Sequence, residues 1–295
     1  MKCRCGSKAV YERKTEGSFY CDDCLARQVE KRFQKTISEN KLVKAGDTIA
    51  VALSGGKDSS ALLYMLNNSK NPKTEIFAIS IDEGIRGRGI CLEKASCLTK
   101  KLGIRHFIFS FEEELGITID SIKDRKTCTY CGVFKRNLIN KKARELGANK
   151  IAVGHNLNDE AQSILLNFLR GDCNHFQRLG ADPVKDKKFV HRIKPLRDIP
   201  EAEIVLYARI KKIPHINRRC IYSYDNQRRD ILNMLDSLEK KYPGTIFQIV
   251  KFYDRIKPLV SKSDKVSIGY CDRCGEPGGK LCKSCQLLTE LKKLS

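Results

Sequence analysis

Residues 48–60 read TIAVALSGGKDSS, and this stretch decides the fold. TIAVALS is short, apolar and β-branched, as a buried strand should be, and it runs directly into Ser54-Gly55-Gly56-Lys57-Asp58-Ser59-Ser60 and the helical pattern ALLYML. Glycines let the backbone turn sharply and approach an anion closely. The N-terminus of the following helix supplies unpaired N–H groups and a positive dipole end. Lys57 adds a full charge, and Ser59 and Ser60 add hydroxyl donors. The stretch reads as a phosphate cradle, without the Gly, four residues, Gly-Lys-Ser/Thr spacing of a Walker loop.

Working outward, EIFAISIDEG (75–84), RHFIFSF (105–111) and NKIAVGH (149–155) read as further buried strands. Helical segments such as SSALLYMLNN and CLEKASCLTKKLG separate them. This alternation predicts an α/β fold with a doubly wound, mostly parallel sheet and a ligand outside the carboxyl ends of its strands. Gly154 to Glu160 follow the fourth strand and open the helix AQSILLNFL, which places Asp159 in its N-terminal turn. Asp159 either caps that helix or takes part in magnesium binding or substrate activation. From about residue 200 the pattern turns helical through AEIVLYARIKKI, DNQRRDILNMLDSLEKKY and TIFQIVKFYDRIKPL.

Across 295 residues, 56 Lys and Arg against 35 Asp and Glu leave a formal charge of +21, which points to a polyanionic partner such as nucleic acid. Residues 170–220 alone hold thirteen basic against six acidic residues. Lys187-Lys188, Lys211-Lys212 and Arg218-Arg219 are either solvated faces or an RNA path, which Arg228 and Arg229 extend. No stretch approaches the ~20 consecutive apolar residues of a membrane span. MKCRCGSKAV carries no apolar export signal, so the expected location is cytoplasmic.

Fourteen cysteines in a reducing compartment favour metal over disulfides. Cys271-x2-Cys274-x7-Cys282-x2-Cys285 has the spacing of a four-thiolate structural zinc site. Cys3-x-Cys5-x15-Cys21-x2-Cys24 is a second such set, with one residue rather than two inside its first pair. Both knots are too small to fold on apolar burial alone, so metal supplies their folding energy. They are purely structural or also dock RNA. Cys91, Cys97 and Cys173 have no partner spacing and read as core thiols. Cys128-Thr-Tyr-Cys131 stands just before the basic helix FKRNLINKKAREL, with Cys220 far downstream. A Cys-x-x-Cys alone serves redox pairs, zinc half-sites and clusters alike. A third thiolate leaves a tetrahedral metal or a cubane iron one open position, as reactive sites need.

Ser54–Ser60 match the PP-loop of the ATP pyrophosphatase superfamily (adenine nucleotide alpha hydrolase-like), which the chain resembles. With the central and terminal cysteines, the resemblance narrows to the TtuA/NcsA family of tRNA 2-thiouridine synthetases and covers essentially the whole chain. It implies ATP and Mg2+ at the loop, with nucleotide contacts from Ala52, Ser54, Gly55, Gly56, Lys57, Asp58, Ser59, Ser60, Ile81 and Gly154. It implies a [4Fe-4S] cluster on Cys128, Cys131 and Cys220 with one open iron, and catalytic positions at Lys135 and Asp159. Two structural Zn2+ ions then belong to Cys3, Cys5, Cys21 and Cys24 and to Cys271, Cys274, Cys282 and Cys285.

The implied organisation is a zinc module (1–27), a PP-loop catalytic domain (28–220), a helical extension (221–265) and a second zinc module (266–295). The implied partners are tRNA, a second copy of the chain and a sulfur donor, which is a thiocarboxylated ubiquitin-like protein, a persulfide or sulfide. The implied reaction adenylylates uridine O2 and replaces it with sulfur. The rivals are a 2-thiocytidine synthetase, a cluster-free persulfide thiolase, and a non-catalytic zinc-bearing RNA-binding protein.

Overall fold

The computed structural model describes residues 1–122, 127–177, 179–180, 189–217, 220–222, 227–260 and 269–294. The elements in chain order are β1 (Tyr11–Arg13), β2 (Ser18–Tyr20), α1 (Asp22–Glu39), β3 (Thr48–Ala52), α2 (Lys57–Ser69), β4 (Glu75–Asp82), α3 (Arg88–Leu102), β5 (His106–Ser110), α4 (Phe111–Leu115), α5 (Thr127–Glu145), β6 (Lys150–Ala152), α6 (Leu157–Leu169), α7 (Cys173–Gln177), β7 (His191–Ile193), α8 (Glu201–Ile210), α9 (Gln227–Lys241), α10 (Thr245–Val260) and α11 (Lys283–Leu294).

All four expected strands form, in a five-stranded parallel sheet of order β5-β4-β3-β6-β7. Val51 of β3 lies opposite Ala78 of β4 on one side and Ala152 of β6 on the other. The chain leaves β3 toward β4 and β5, then returns to β6 and β7, so the winding direction reverses between β3 and β6. That reversal is where a doubly wound sheet opens a crevice at its carboxyl edge. The loop 54–60 and the segment 154–160 flank it from either side.

Strand alternation splits the core into two layers. Ile49 and Val51 face a cluster with Leu25, Val29 and Phe33 of α1, Leu62 and Leu66 of α2, and Ile204 and Tyr207 of α8. Ala50, Phe77 and Ile151 face the other side, against Phe134, Leu138 and Ala143 of α5. A third cluster joins α6 to α9 and α10 through Leu157, Ile164, Leu235 and Val250, so the helical extension packs onto the segment after β6.

Each Cys-rich end is bolted to one of these layers. Arg13 of the β1–β2 hairpin forks onto Glu203 of α8 at 2.8 and 2.9 Å, and Arg32 adds a third contact at 3.2 Å. Glu203 is 0% exposed and Arg13 5%. Cys21 and Cys24 sit at the start of α1, which runs unbroken across the expected boundary at residue 27 into the core. At the other end, buried Glu276 accepts from Asn140 Nδ2 and Arg144 of α5, while Leu287 of α11 joins the α5 layer.

Removing one partner of a buried ion pair strands the other charge. Glu203→Ala should therefore lower stability by roughly 3–5 kcal/mol in guanidinium unfolding. A loss near zero would mean that Arg13 finds an equal partner elsewhere.

Candidate functional site

The loop after β3 is built from its own side chains. Gly55 has φ +79°, and a Cβ on it would lie 2.1 Å from the Cys91 carbonyl oxygen, so only glycine fits. Ser59 Oγ accepts from the Ser54 amide at 3.1 Å, meets Ser54 Oγ at 3.0 Å and donates to the Gly56 carbonyl at 3.1 Å. Its hydroxyl thus braces the loop. Ser60 is fully buried, and its hydroxyl has no partner among the described residues. Gly56 caps α2, whose first residue is Lys57.

Lys57 Nζ lies 2.9 Å from Asp58 and 2.7 Å from Glu201, the first residue of α8. Burial works against the Lys57 charge, but Asp58 and Glu201 outweigh it and hold its pKa above the ordinary lysine value. Burial pushes the Asp58 and Asp159 carboxyls up, and Lys57 pulls Asp58 partly back. Asn156 ties the two together: its Nδ2 donates to Asp58 at 3.1 Å, and its amide donates to Asp159 Oδ2 at 3.1 Å. Asp159 and Asn156 form a complete capping box on α6, so capping is the geometry this residue adopts here. Gly154 makes a close approach: a Cβ there would lie 2.8 Å from the Ser59 amide nitrogen at the root of the loop.

A cavity of about 360 Å³ opens at the carboxyl edge. Ser54 and Gly56 of the loop line it, and so do Cys128, Cys131, Lys135 and Cys220. Two corrections to the expected local structure follow. Cys128 and Cys131 stand inside the first turns of α5 rather than before it, so they share one face at i and i+3. Cys91 lines the cavity, and Cys97 and Cys173 are exposed, so none of these three is a core thiol.

Cys220 lines the cavity, and Ile216, four residues before it, pairs with the loop. The Ile216 amide donates to the Gly55 carbonyl at 2.9 Å, and Gly56 and Ile216 form a parallel bridge. Cys128 Sγ donates to the Tyr222 carbonyl at 3.0 Å. Burial, then the neighbouring Cys220, pushes the Cys128 thiol up. Burial pushes Cys131 up to about 11 against the pull of Lys135.

Sequence reading missed the residues that hold the cavity wall. Glu83, 2% exposed, takes Lys135 on one oxygen and Arg88 on the other, the latter at 2.6 Å. Arg88 also donates to the Ser54 carbonyl at 2.6 Å and the Ile81 carbonyl at 2.8 Å, clamping the ends of β3 and β4 together. The Ile81 carbonyl is therefore engaged by protein. A charged residue directly after a buried strand was the available clue to Glu83. Glu201 offered none, since acidic residues are ordinary in a first helical turn.

At the ends, Cys3, Cys5, Cys21 and Cys24, and separately Cys271, Cys274, Cys282 and Cys285, each gather their ligand atoms within 4.8 Å of one another. Cys5 and Cys21 sulfurs are 3.5 Å apart and Cys274 and Cys282 3.6 Å, close to the ~3.8 Å edge of a tetrahedron with 2.3 Å Zn–S bonds. The central trio forms no such tight group. On the basic surface, Lys187, Lys188, Arg218 and Arg219 lie outside the described residues. Lys211 is paired with Glu30 at 2.9 Å. Among the described residues, no helix is long and apolar enough to cross a membrane.

Comparison with known proteins gives the family and the same fold. A PP-loop domain family matches residues 25–233. The tRNA 2-thiolation protein NcsA of Haloferax volcanii is 35% identical, over 99% of both chains. Cytoplasmic tRNA 2-thiolation protein 1 of Drosophila yakuba is 36% identical over 99% of this chain and 88% of its own. The solved U34-tRNA thiolase NcsA of Methanococcus maripaludis, described with its [4Fe-4S] cluster, superposes with a TM-score of 0.86 at 34% identity, covering 99% of this chain and 96% of that one.

Proposed function

Since the chain belongs to the PP-loop family that includes the tRNA 2-thiolation proteins, we propose that it is an ATP-dependent tRNA sulfurtransferase making 2-thiouridine. The observation that carries this reading is a shared wall: the nucleotide loop and three cysteines from two distant segments line one cavity.

The donor set suits an iron–sulfur cluster better than a single ion. Cys128, Cys131 and Cys220 line one cavity without gathering as tightly as the terminal quartets, and a cubane, where each thiolate binds a different corner, does not need them to. Cys128, Cys131 and Cys220 are its proposed ligands. When bound, such a cluster supplies an iron with an open position that can carry sulfur. Asp58 and Asp159, hard oxygen donors crowded beside Lys57, suit Mg2+. The terminal quartets suit structural Zn2+.

In the proposed reaction, uridine O2 attacks the α-phosphorus of ATP, and pyrophosphate leaves. Lys57 turns from its carboxylate partners to the phosphates, where the α2 N-terminus adds its dipole. Sulfide then adds at C2 and AMP departs with the C2–O2 bond, leaving the thiocarbonyl. Glu83 holds Lys135 at the cavity, where its ammonium can stabilise charge on O2. The first tRNA position to test is U34, named for the solved relative. The same reading includes a homodimer and a cytoplasmic location, the latter supported by the name of the fly relative.

The deciding experiment incubates anaerobically reconstituted protein with tRNA, Mg2+-ATP and sulfide, followed by nucleoside mass spectrometry. 2-Thiouridine formed only with ATP supports the proposal. 2-Thiocytidine, or full activity in iron-free protein, would replace it with one of its rivals. Chelating zinc from the protein should release both terminal knots to protease while β3–β6 stay protected, because metal rather than apolar burial folds them. Resistance of the knots after metal loss would refute that role.

A further inference from the structure

Among the described residues, three arginines on the flank of the cavity form no ion pair with a carboxylate, though Arg228 lies near enough to Asp159 to favour its charge. Arg136 lies on α5 just beyond Cys131, and its guanidinium folds back over Gly132, a cavity-lining residue. A Cβ on Gly132 would lie 3.4 Å from Arg136 Nη1. Arg192 is the middle residue of β7, opposite Ile151 of β6. Alternation puts it on the face of Val190, which packs beneath α5, and away from Ile193. The Val190 amide donates to Asn140 Oδ1 of α5 at 3.0 Å. The cysteine-bearing end of α5 lies at the carboxyl edge of the sheet, so α5 runs antiparallel to β7. One turn back from Asn140 therefore stands over two residues on from Val190, which brings Arg136 above Arg192. Arg228, in the first turn of α9, is fixed beside them through α6: Gln162 Nε2 donates to its carbonyl at 2.7 Å, and its own Nη2 donates to Ser163 Oγ at 3.4 Å.

The buried arginines Arg13 and Arg197 are each matched to an acid, Glu203 and Asp254. Among the described residues, no carboxylate forms an ion pair with Arg136, Arg192 or Arg228. The Nε of Arg192 is buried with no hydrogen-bond partner among the described residues. Partial desolvation and then the charge of Arg228 hold Arg136 below the ordinary arginine value. Burial, then Arg136, brings Arg192 down to about 10. Gathering like charges costs stability unless an anion completes the group.

Planar guanidinium forks match phosphate oxygens. The triphosphate already has its own cradle at Lys57 and α2. The unpaired charge begins beside Gly132, one of the residues lining the cavity. A base turned out of folded RNA into that cavity brings the phosphates on either side of it to the rim. We infer that Arg136, Arg192 and Arg228 form a site for a backbone phosphate of the RNA, next to the nucleotide whose base enters the cavity. This rests on the tRNA reading above.

Arg136 and Arg228 are exposed, so replacing them spares the core. The test compares wild type, Arg136→Ala/Arg228→Ala and Arg136→Lys/Arg228→Lys by tRNA binding across a potassium chloride series, with ATP binding measured in parallel. The alanine pair should bind tRNA at least about tenfold more weakly, with a log–log salt slope shallower by about one to two, while the lysine pair keeps the slope. ATP affinity should stay within about twofold. Unchanged tRNA affinity and slope in the alanine pair, with wild type still binding and thiolating tRNA, would overturn this inference alone. A loss confined to ATP would reassign the site to the triphosphate. A loss confined to transfer from a thiocarboxylated protein donor would reassign it to that carboxyl terminus. Wild type without affinity for tRNA would remove the functional reading and this site together.

Discussion

Cys220→Ala should lower tRNA thiolation by about a thousandfold or more, the scale on which a group at a reacting centre is lost, while the protein stays folded and still binds ATP. Cys220 is exposed and lies outside every hydrophobic core cluster, so its removal opens no cavity. It lines the same cavity as Cys128 and Cys131 although it lies far from them in sequence. Two thiolates on one helical turn cannot span a cubane by themselves, and the third must come from across the site. Reconstituted Cys220→Ala should accordingly lose iron as well as product. Cys91→Ala is the matched control, because Cys91 also lines the cavity yet is assigned no ligand role, and its activity should stay within about threefold of wild type. Full thiolation by Cys220→Ala, or equal damage from both variants, would remove the three-thiolate site from the reaction.

Gly55→Ala should have the second-largest effect, on both stability and nucleotide binding. At φ +79° an alanine is strained, and its methyl group would fall 2.1 Å from the Cys91 carbonyl oxygen and 2.8 Å from its carbon. Both obstacles are backbone atoms, which cannot swing aside as a side chain can. The loop must open, at roughly 2–4 kcal/mol, lowering the melting temperature by roughly 5–15 °C. ATP affinity should fall by at least about tenfold, because the amides that face the phosphates lose their arrangement. Gly56→Ala should be far milder, since its Cβ would meet only Ser54 Oγ at 3.4 Å. Calorimetry with and without ATP separates the two. Equal melting temperatures for Gly55→Ala and wild type would show that the loop tolerates a side chain there.

The sheet was legible because its central strands are buried on both faces and read as unbroken apolar runs. The edge strand β7 was not, since His191, Arg192 and Ile193 span only three residues and include two polar ones. The hairpin Tyr11–Tyr20 was hidden for the same reason, with three-residue strands beside a metal knot. Spacing revealed the terminal quartets, and position at a strand end revealed Ser54–Ser60. Convergence is what sequence could not display. Glu201 beside Lys57, Glu83 beneath Lys135, and Cys91 opposite Gly55 are each set by tertiary packing, and none has a local pattern that announces it. Ser60 shows the converse: it fits a phosphate motif by type, yet its side chain is buried within the helix packing.

The bond from the Ile216 amide to the Gly55 carbonyl ties the chain four residues before Cys220 to the turn of the phosphate loop. A tug at the loop is thereby passed to Ile216, like two hands on a single rope. On the proposed reading, slack in the loop that takes the triphosphate would also reach the flank that carries Cys220, so fuel and cargo would be lost or kept as a pair.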